Sequence, residues 1–318
     1  MDLSQRLHNE AMSTATSELA GLSQSFVDLV ANTTSGVVAV KAAPYRVVSG
    51  ICVREDIFAV ADHSLRREDR VPVHNAAGDH VLANILGRDP GLDIAFLKAD
   101  GLTTKLLPAA DAASLKPGSL AVIVGLTLDV GASASIGILG AVGGPRRTWR
   151  GATLDHFYRL DVNLYPSQSG AAVVNHSGEL IGLATPALLR HSAVAVPLPT
   201  VHRILDELLK TGRIREGYLG VGMQPIPIPA NLREKVTLAS DSGLIVLNVV
   251  SGSPADEAGV QLGDILVALA GKPIADVDEL QAALRGENVG RSLQALFIRG
   301  GETVTTQIAV AERPRKAN

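Results

Sequence analysis

Apolar positions between residues 16 and 30 recur at helical spacing: Leu19, Leu22, Phe26, Leu29 and Val30 are separated by Ser, Glu, Gln and Asp. That spacing predicts an amphipathic helix with one face packed on a neighbour. From Gly36 to Val196 the pattern changes to short apolar runs such as GVVAVKA, VVSGICV, IFAV, IAFLKA, LAVIVG, FYRLDV and LIGLA, nearly all bounded by turn residues. Many short strands without long helical stretches between them predict an antiparallel barrel or sandwich rather than βαβ units. After Pro199 the helical run VHRILDELLK leads into the polar TGRIREG, which reads as a linker with a domain boundary near Arg213. Residues 217–312 then alternate strand-like GYLGVGM, GLIVLNVV and DILVAL with two helix signals, SPADEAG and DVDELQAAL, before the hairpin SLQALFIRGGETVTTQIAV. This is the pattern of a small α/β module. Ser253 can cap its first helix ahead of Pro254, and Asp276 or Asp278 can cap the second.

Composition narrows the function classes. Of 318 residues, 46% are hydrophobic and 19% charged, which describes a chain able to bury a sizeable core. The 29 Lys and Arg nearly balance the 32 Asp and Glu, and no long basic run offers the charge that a phosphate backbone would need, so nucleic acid is not an expected partner. The lone Cys52 excludes an intrachain disulfide and the paired-cysteine spacings of structural metal sites, and it reads as a core filler. MDLSQRLHNE lacks the basic and apolar regions of a signal peptide, and no run of 18 apolar residues suggests a membrane span, so the chain as written reads as soluble.

A serine hydroxyl becomes a useful nucleophile when a histidine takes its proton and a buried carboxylate fixes that histidine's tautomer. Three residues occur in an order that suits this chemistry: His63 in VADHSL, Asp93 in GLDIAFLKA and Ser169 in YPSQSGAAVV. Each segment, together with VSGICV, LKPGSLAVIVG and GELIGLATP, resembles a motif of the HtrA/Deg-type serine proteases of the chymotrypsin clan. The resemblance implies a mainly β fold, with a two-barrel chymotrypsin-like protease domain followed by a small α/β PDZ domain. It divides the chain into an N-terminal helical segment (1–34), the protease domain (35–212), the PDZ domain (213–312) and a tail (313–318). By the same resemblance His63 is the general base, Asp93 its orienting carboxylate and Ser169 the acyl-forming nucleophile.

Where relatives of this type read NPGNSGGP, this chain reads Tyr165-Pro166-Ser167-Gln168-Ser169-Gly170-Ala171-Ala172. The resemblance puts the oxyanion hole at Ser167, Gln168 and Ser169, with Ser167 in place of a glycine whose backbone N–H faces inward. Glycine serves turns that need positive φ, and a side chain there costs about 1–2 kcal/mol, so Ser167 is expected to turn its N–H away. Loss of one such donor lowers turnover about 10²–10³-fold.

Tyr218-Leu219-Gly220-Val221 resembles the carboxylate-binding loop of a PDZ domain, in which backbone N–H groups receive a peptide C-terminus. The following helix would offer Leu280 and Leu284 as an apolar groove wall. No GxxxxGK[ST], GxGxxG, HExxH or GxSxG is present, and neither a cofactor nor a metal is expected. The leading expectation is a serine endopeptidase that cleaves unfolded, misfolded or exposed polypeptide segments, with the PDZ domain binding C-terminal peptides. The alternative is a catalytically impaired scaffold or chaperone that holds polypeptides without cleaving them, and Ser167 is its main support. The resemblance also implies a homotrimer with contacts from the helix around Phe26, and a periplasmic or cell-envelope location.

Overall fold

The structure is a computed structural model that describes residues 3–66, 68–148, 152–189, 192–212, 217–236, 240–284 and 288–312. The linker expected around Arg213 and the tail from residue 313 lie outside the described residues. The chain divides into two compact units, one carrying two β-barrels and the other a C-terminal sheet.

The first helix, α1 (Leu3–Thr34), is longer than the 16–30 stretch that periodicity picks out. No glycine or proline interrupts the sequence before Gly21, so nothing stops the helix from extending towards the N-terminus. It ends where Thr33 and Thr34 turn their hydroxyls back to the carbonyls of Leu29 and Val30, at 2.8 and 2.7 Å. The expected packing holds only in part: Phe26, Leu29 and Val30 are partly covered, whereas Leu19, Leu22 and Val27 are exposed.

The first barrel comprises β1 (Val37–Ala43), β2 (Arg46–Arg54), β3 (Ile57–Ala61), β4 (Arg70–His74), β5 (His80–Asp89) and β6 (Ile94–Lys98), closed in the order β1-β2-β3-β6-β5-β4. Its pairings are antiparallel, as short hairpin connections require. At the β2–β3 turn Asp56 takes φ 58°, a left-handed conformation that Asp tolerates better than most residues. Val38, Val40, Phe58, Val60 and Leu97 fill the interior, and Cys52 packs among them. Burial pushes the Cys52 thiol up from its ordinary value, which suits a core filler rather than a nucleophile.

The second barrel uses β7 (Leu120–Thr127) and β8 (Gly131–Gly143), then, after the short pair β9 (Arg146–Arg147) and β10 (Thr153–Leu154), β11 (Phe157–Asp161), β12 (Ala172–Val174), β13 (Leu180–Thr185) and β14 (Ala193–Pro197). It closes in the order β11-β14-β13-β12-β7-β8 around Ile123, Leu139, Tyr158 and Val173. Helix α2 (Leu198–Thr211) follows and buries Val201, Ile204, Leu205 and Leu208.

In the C-terminal unit, β15 (Gly217–Tyr218) leads to β16 (Val221–Pro227), α3 (Ala230–Val236), β17 (Ser242–Val249), α4 (Pro254–Glu257), β18 (Ile265–Leu269), β19 (Lys272–Pro273), α5 (Val277–Ala283), β20 (Ser292–Arg299), β21 (Glu302–Ala309) and β22 (Ala311–Glu312). Strands β16, β17, β18, β20 and β21 are neighbours in that order, and β15 pairs with β22. Ser253 accepts from the Asp256 N–H to cap α4, and Asp276 caps α5, accepting from the Glu279 N–H at 2.7 Å; the Asp278 side chain lies outside what the structure describes. Helix α3 has no counterpart among the helices expected from periodicity, because its seven residues are too few to display one. The buried Asp264 pairs with Arg299 at 2.7 Å. Burial pushes its carboxyl up, but hydrogen bonds from Arg299 and the Gln261 N–H, with the guanidinium charge, hold it below the ordinary carboxylate value. Among the described residues no helix is long and apolar enough to cross a membrane.

Candidate active site

The two barrels bring His63, Asp93 and Ser169 together. His63 lies in a single 3-10 turn (Asp62–Ser64) directly after β3, so the all-buried IFAVA strand fixes its position. Asp93 immediately precedes β6 and is fully buried, with φ 57°. A buried carboxylate must be hydrogen-bonded to remain charged. Its Oδ1 accepts the His63 backbone N–H at 2.8 Å, and its Oδ2 accepts from His63 Nδ1 at 2.8 Å and from the Thr185 hydroxyl. An ionised carboxylate only accepts, so Nδ1 carries the ring proton and Nε2 presents its lone pair. That lone pair faces the Ser169 Oγ at 3.4 Å and the Ser64 Oγ at 3.2 Å. Beside it, burial pushes the Asp62 carboxyl up, and the Arg88 guanidinium at 3.2 Å opposes that shift only in part.

The loop before Ser169 is a second 3-10 turn, Pro166–Gln168. The three residues expected to make an oxyanion hole are here, but the N–H groups of Gln168 and Ser169 are engaged internally. Gln168 N–H donates to the Tyr165 carbonyl at 2.8 Å, and Ser169 N–H donates to the Pro166 carbonyl at 3.3 Å. The Ser167 carbonyl accepts the Ser49 hydroxyl at 2.8 Å, while the same Ser49 Oγ accepts from the Leu126 N–H at 3.0 Å. A carbonyl is therefore turned towards the Ser169 N–H that an oxyanion would need, and in this conformation the hole is not assembled. Ser167 keeps a negative φ, as its side chain favours. The Gln168 side chain is buried: its Oε1 accepts from the Tyr165 N–H at 3.2 Å and from the Ser135 Oγ at 3.0 Å, and its Nε2 has no partner. Gly170, at φ +83°, is required on steric grounds, because a Cβ there would lie 2.2 Å from the Ser49 carbonyl oxygen.

In the C-terminal unit, Tyr218, Leu219, Gly220 and Val221 form the junction between β15 and β16. Gly220 has φ +81°, and a Cβ would lie 2.1 Å from the Ser253 Cβ. The Gly220 carbonyl accepts the Val250 N–H at 2.8 Å, and the Leu219 carbonyl accepts the Ala255 N–H at 3.0 Å. Leu280 and Leu284, expected as a groove wall, are buried in the core with Leu219, Val246, Leu266 and Phe297. In this conformation both side chains hold the unit together rather than line an open groove. An open depression of about 330 Å³ lies beside Tyr218, Ser253 and Pro254.

Residues 48–183 match the trypsin-like peptidase domain family, and residues 217–310 match the PDZ domain family. A segment matching a trypsin-like peptidase domain thus precedes one matching a PDZ domain. It is 28% identical over 275 residues to a probable periplasmic serine endoprotease, DegP-like, of Chlamydia pneumoniae, covering 84% of this chain and 55% of that protein. A protein of the same description from Pseudomonas putida is 27% identical over 272 residues, covering 84% of this chain and 56% of that one. The chain thus spans about half the length of the curated relatives it matches. Among solved structures, an HtrA-type protease AlgW with a decapeptide superposes with a TM-score of 0.68 at 20% identity, covering 91% of this chain and 99% of that one. A serine endoprotease from Yersinia pestis gives 0.66 at 23% identity, covering 90% and 98%. These likenesses carry the fold.

Sequence reading missed three polar residues of the peptidase domain. Thr185, from β13 of the second barrel, braces Asp93 and also accepts the Ala187 N–H at 3.0 Å. Ser49 ties the Ser167 carbonyl to β7, and Ser64 adjoins the histidine. Each lies in a segment that motif resemblance singles out, but its role depends on partners that the motif does not contain. Among the described residues no cluster of His, Cys, Asp and Glu is arranged to hold a metal.

Proposed function

We propose that the chain is a serine endopeptidase acting on unfolded or exposed polypeptide segments. The hydrogen-bonded series from Asp93 through His63 to Ser169 carries this reading. Ser169 Oγ attacks the scissile carbonyl as its proton passes to His63 Nε2, which then protonates the departing amine. Water, deprotonated by the same nitrogen, releases the acyl group. Asp93 holds the tautomer and stabilises the imidazolium. Turnover further requires the Pro166–Ser167 peptide to rotate, since the oxyanion needs N–H groups where a carbonyl now points. A fluorophosphonate probe tests the assignment: attack by Ser169 Oγ expels fluoride and leaves a phosphonyl ester. Peptide mapping is expected to find the adduct on Ser169, and an unmodified Ser169 after prolonged exposure would overturn the reading.

The PDZ domain supports a second element of the proposal: the Tyr218–Val221 junction receives the free carboxylate of a peptide. The left-handed Gly220, which lets backbone approach closely, supports this. Calorimetric titration is expected to show at least tenfold weaker binding when a peptide's C-terminus is amidated, and equal affinities would remove the carboxylate from the recognition. The compartment in the relatives' names, the periplasm, is adopted with this reading.

A further inference from the structure

We infer that Ser64 is a positioning residue that competes with Ser169 for the single lone pair of the base, and so holds the peptidase below its intrinsic acylation rate. The inference rests on the reading of Ser169 as the nucleophile. The Nδ1 proton of His63 is committed to Asp93, so Nε2 has one in-plane lone pair and accepts one good hydrogen bond at a time. Two hydroxyls reach it, and that of Ser64, at 3.2 Å, is nearer than that of Ser169, at 3.4 Å. Ser64 is buried in the 3-10 turn that carries His63, so its hydroxyl stays beside the ring.

Arg46 favours the competing arrangement. Its Nη2 makes a long contact, 3.5 Å, to the Ser64 Oγ, and a guanidinium can only donate. That contact addresses a Ser64 lone pair and leaves the Ser64 proton to point at Nε2. For acylation the Ser169 proton must occupy the place that the Ser64 proton takes. A neutral hydrogen bond of ordinary net strength biases such a competition about fivefold.

The experiment measures the rate of fluorophosphonate labelling in the full chain, which reads the single acylation-like step without turnover. Ser64→Ala removes only the oxygen, creating neither a clash nor a sizeable cavity, and is expected to label Ser169 about fivefold faster than wild type. Ser64→Thr, which restores a hydroxyl at the same atom, is expected to return the rate towards that of wild type. A residue that merely supported the turn would give slower labelling in the alanine variant and no return with threonine. Adduct on Ser169 at an unchanged or lower rate in Ser64→Ala would overturn the competition while leaving the peptidase reading intact. Equal acceleration in Ser64→Thr, or adduct on Ser64, would also overturn it. Absence of any Ser169 adduct in every variant would remove the peptidase reading, and the inference with it.

Discussion

Replacing Asp93 by Asn is expected to lower kcat about 10⁴-fold while leaving the chain folded. The carboxylate accepts at both oxygens: the His63 backbone N–H at one, His63 Nδ1–H and the Thr185 hydroxyl at the other. An amide keeps one acceptor and gains a donor, so it has two possible orientations. With its NH₂ towards the backbone N–H, two donors meet in a fully buried place, which costs about 1–3 kcal/mol. With its NH₂ towards the ring, the clash disappears once the proton moves from Nδ1 to Nε2, and the Thr185 hydroxyl rotates to accept. The second orientation is favoured, and it is the inactive one, because a protonated Nε2 cannot take the Ser169 proton. Backbone strain does not change, since Asn tolerates the φ of 57° at position 93 as readily as Asp. Steady-state cleavage of a peptide substrate and a thermal melt check both halves. A loss below tenfold with an intact fold would show that Asp93 does not set the tautomer.

What the chain discloses in advance follows the range of the forces involved. The strands are legible because β-branched runs such as VVAV and IFAVA are bounded by turn residues, and burial of both faces needs no partner to be named. The juxtaposition of His63, Asp93 and Ser169 is legible because the proposed chemistry restricts residue type, and each side chain lies within hydrogen-bonding reach of the next along the series from Asp93 through His63 to Ser169. The state of the oxyanion loop is only half legible. Ser167 signals that a glycine is missing, but its own carbonyl is anchored by Ser49, 118 residues away, through a hydrogen bond that no local pattern encodes. Leu280 and Leu284 show a related limit: helical spacing puts them on one face without saying whether that face meets core or solvent. Leu19 and Leu22 show the reverse, an apolar pattern that the described chain leaves exposed.

Ser167→Gly is expected to raise peptidase turnover about 5- to 30-fold. Rotating the peptide plane between Pro166 and Ser167 changes ψ of the first residue and φ of the second by about half a turn. In the 3-10 conformation φ of Ser167 is negative, about −50 to −70° for such a turn, so rotation carries it to about +110 to +130°. A Cβ makes that region costly by about 1–2 kcal/mol, whereas glycine enters it freely. Removing the cost shifts the population of the rotated state by the corresponding 5- to 30-fold. The gain has a ceiling of about 10²–10³, the value of one oxyanion donor, and would reach it only if rotation became complete. The rotated arrangement gives up the hydrogen bond from the Ser169 N–H to the Pro166 carbonyl, at 3.3 Å, whereas the Ser49 bond to the Ser167 carbonyl lies in the next peptide and is kept. Ser167→Ala is the decisive control, because it deletes the hydroxyl and keeps the Cβ. If strain at φ governs the loop, alanine leaves kcat near the wild-type value and glycine alone raises it. Equal gains in the two variants would assign the effect to the serine hydroxyl, and no gain in either would mean that the hydrogen bond from the Ser169 N–H, rather than the missing glycine, keeps the Pro166 carbonyl turned inward.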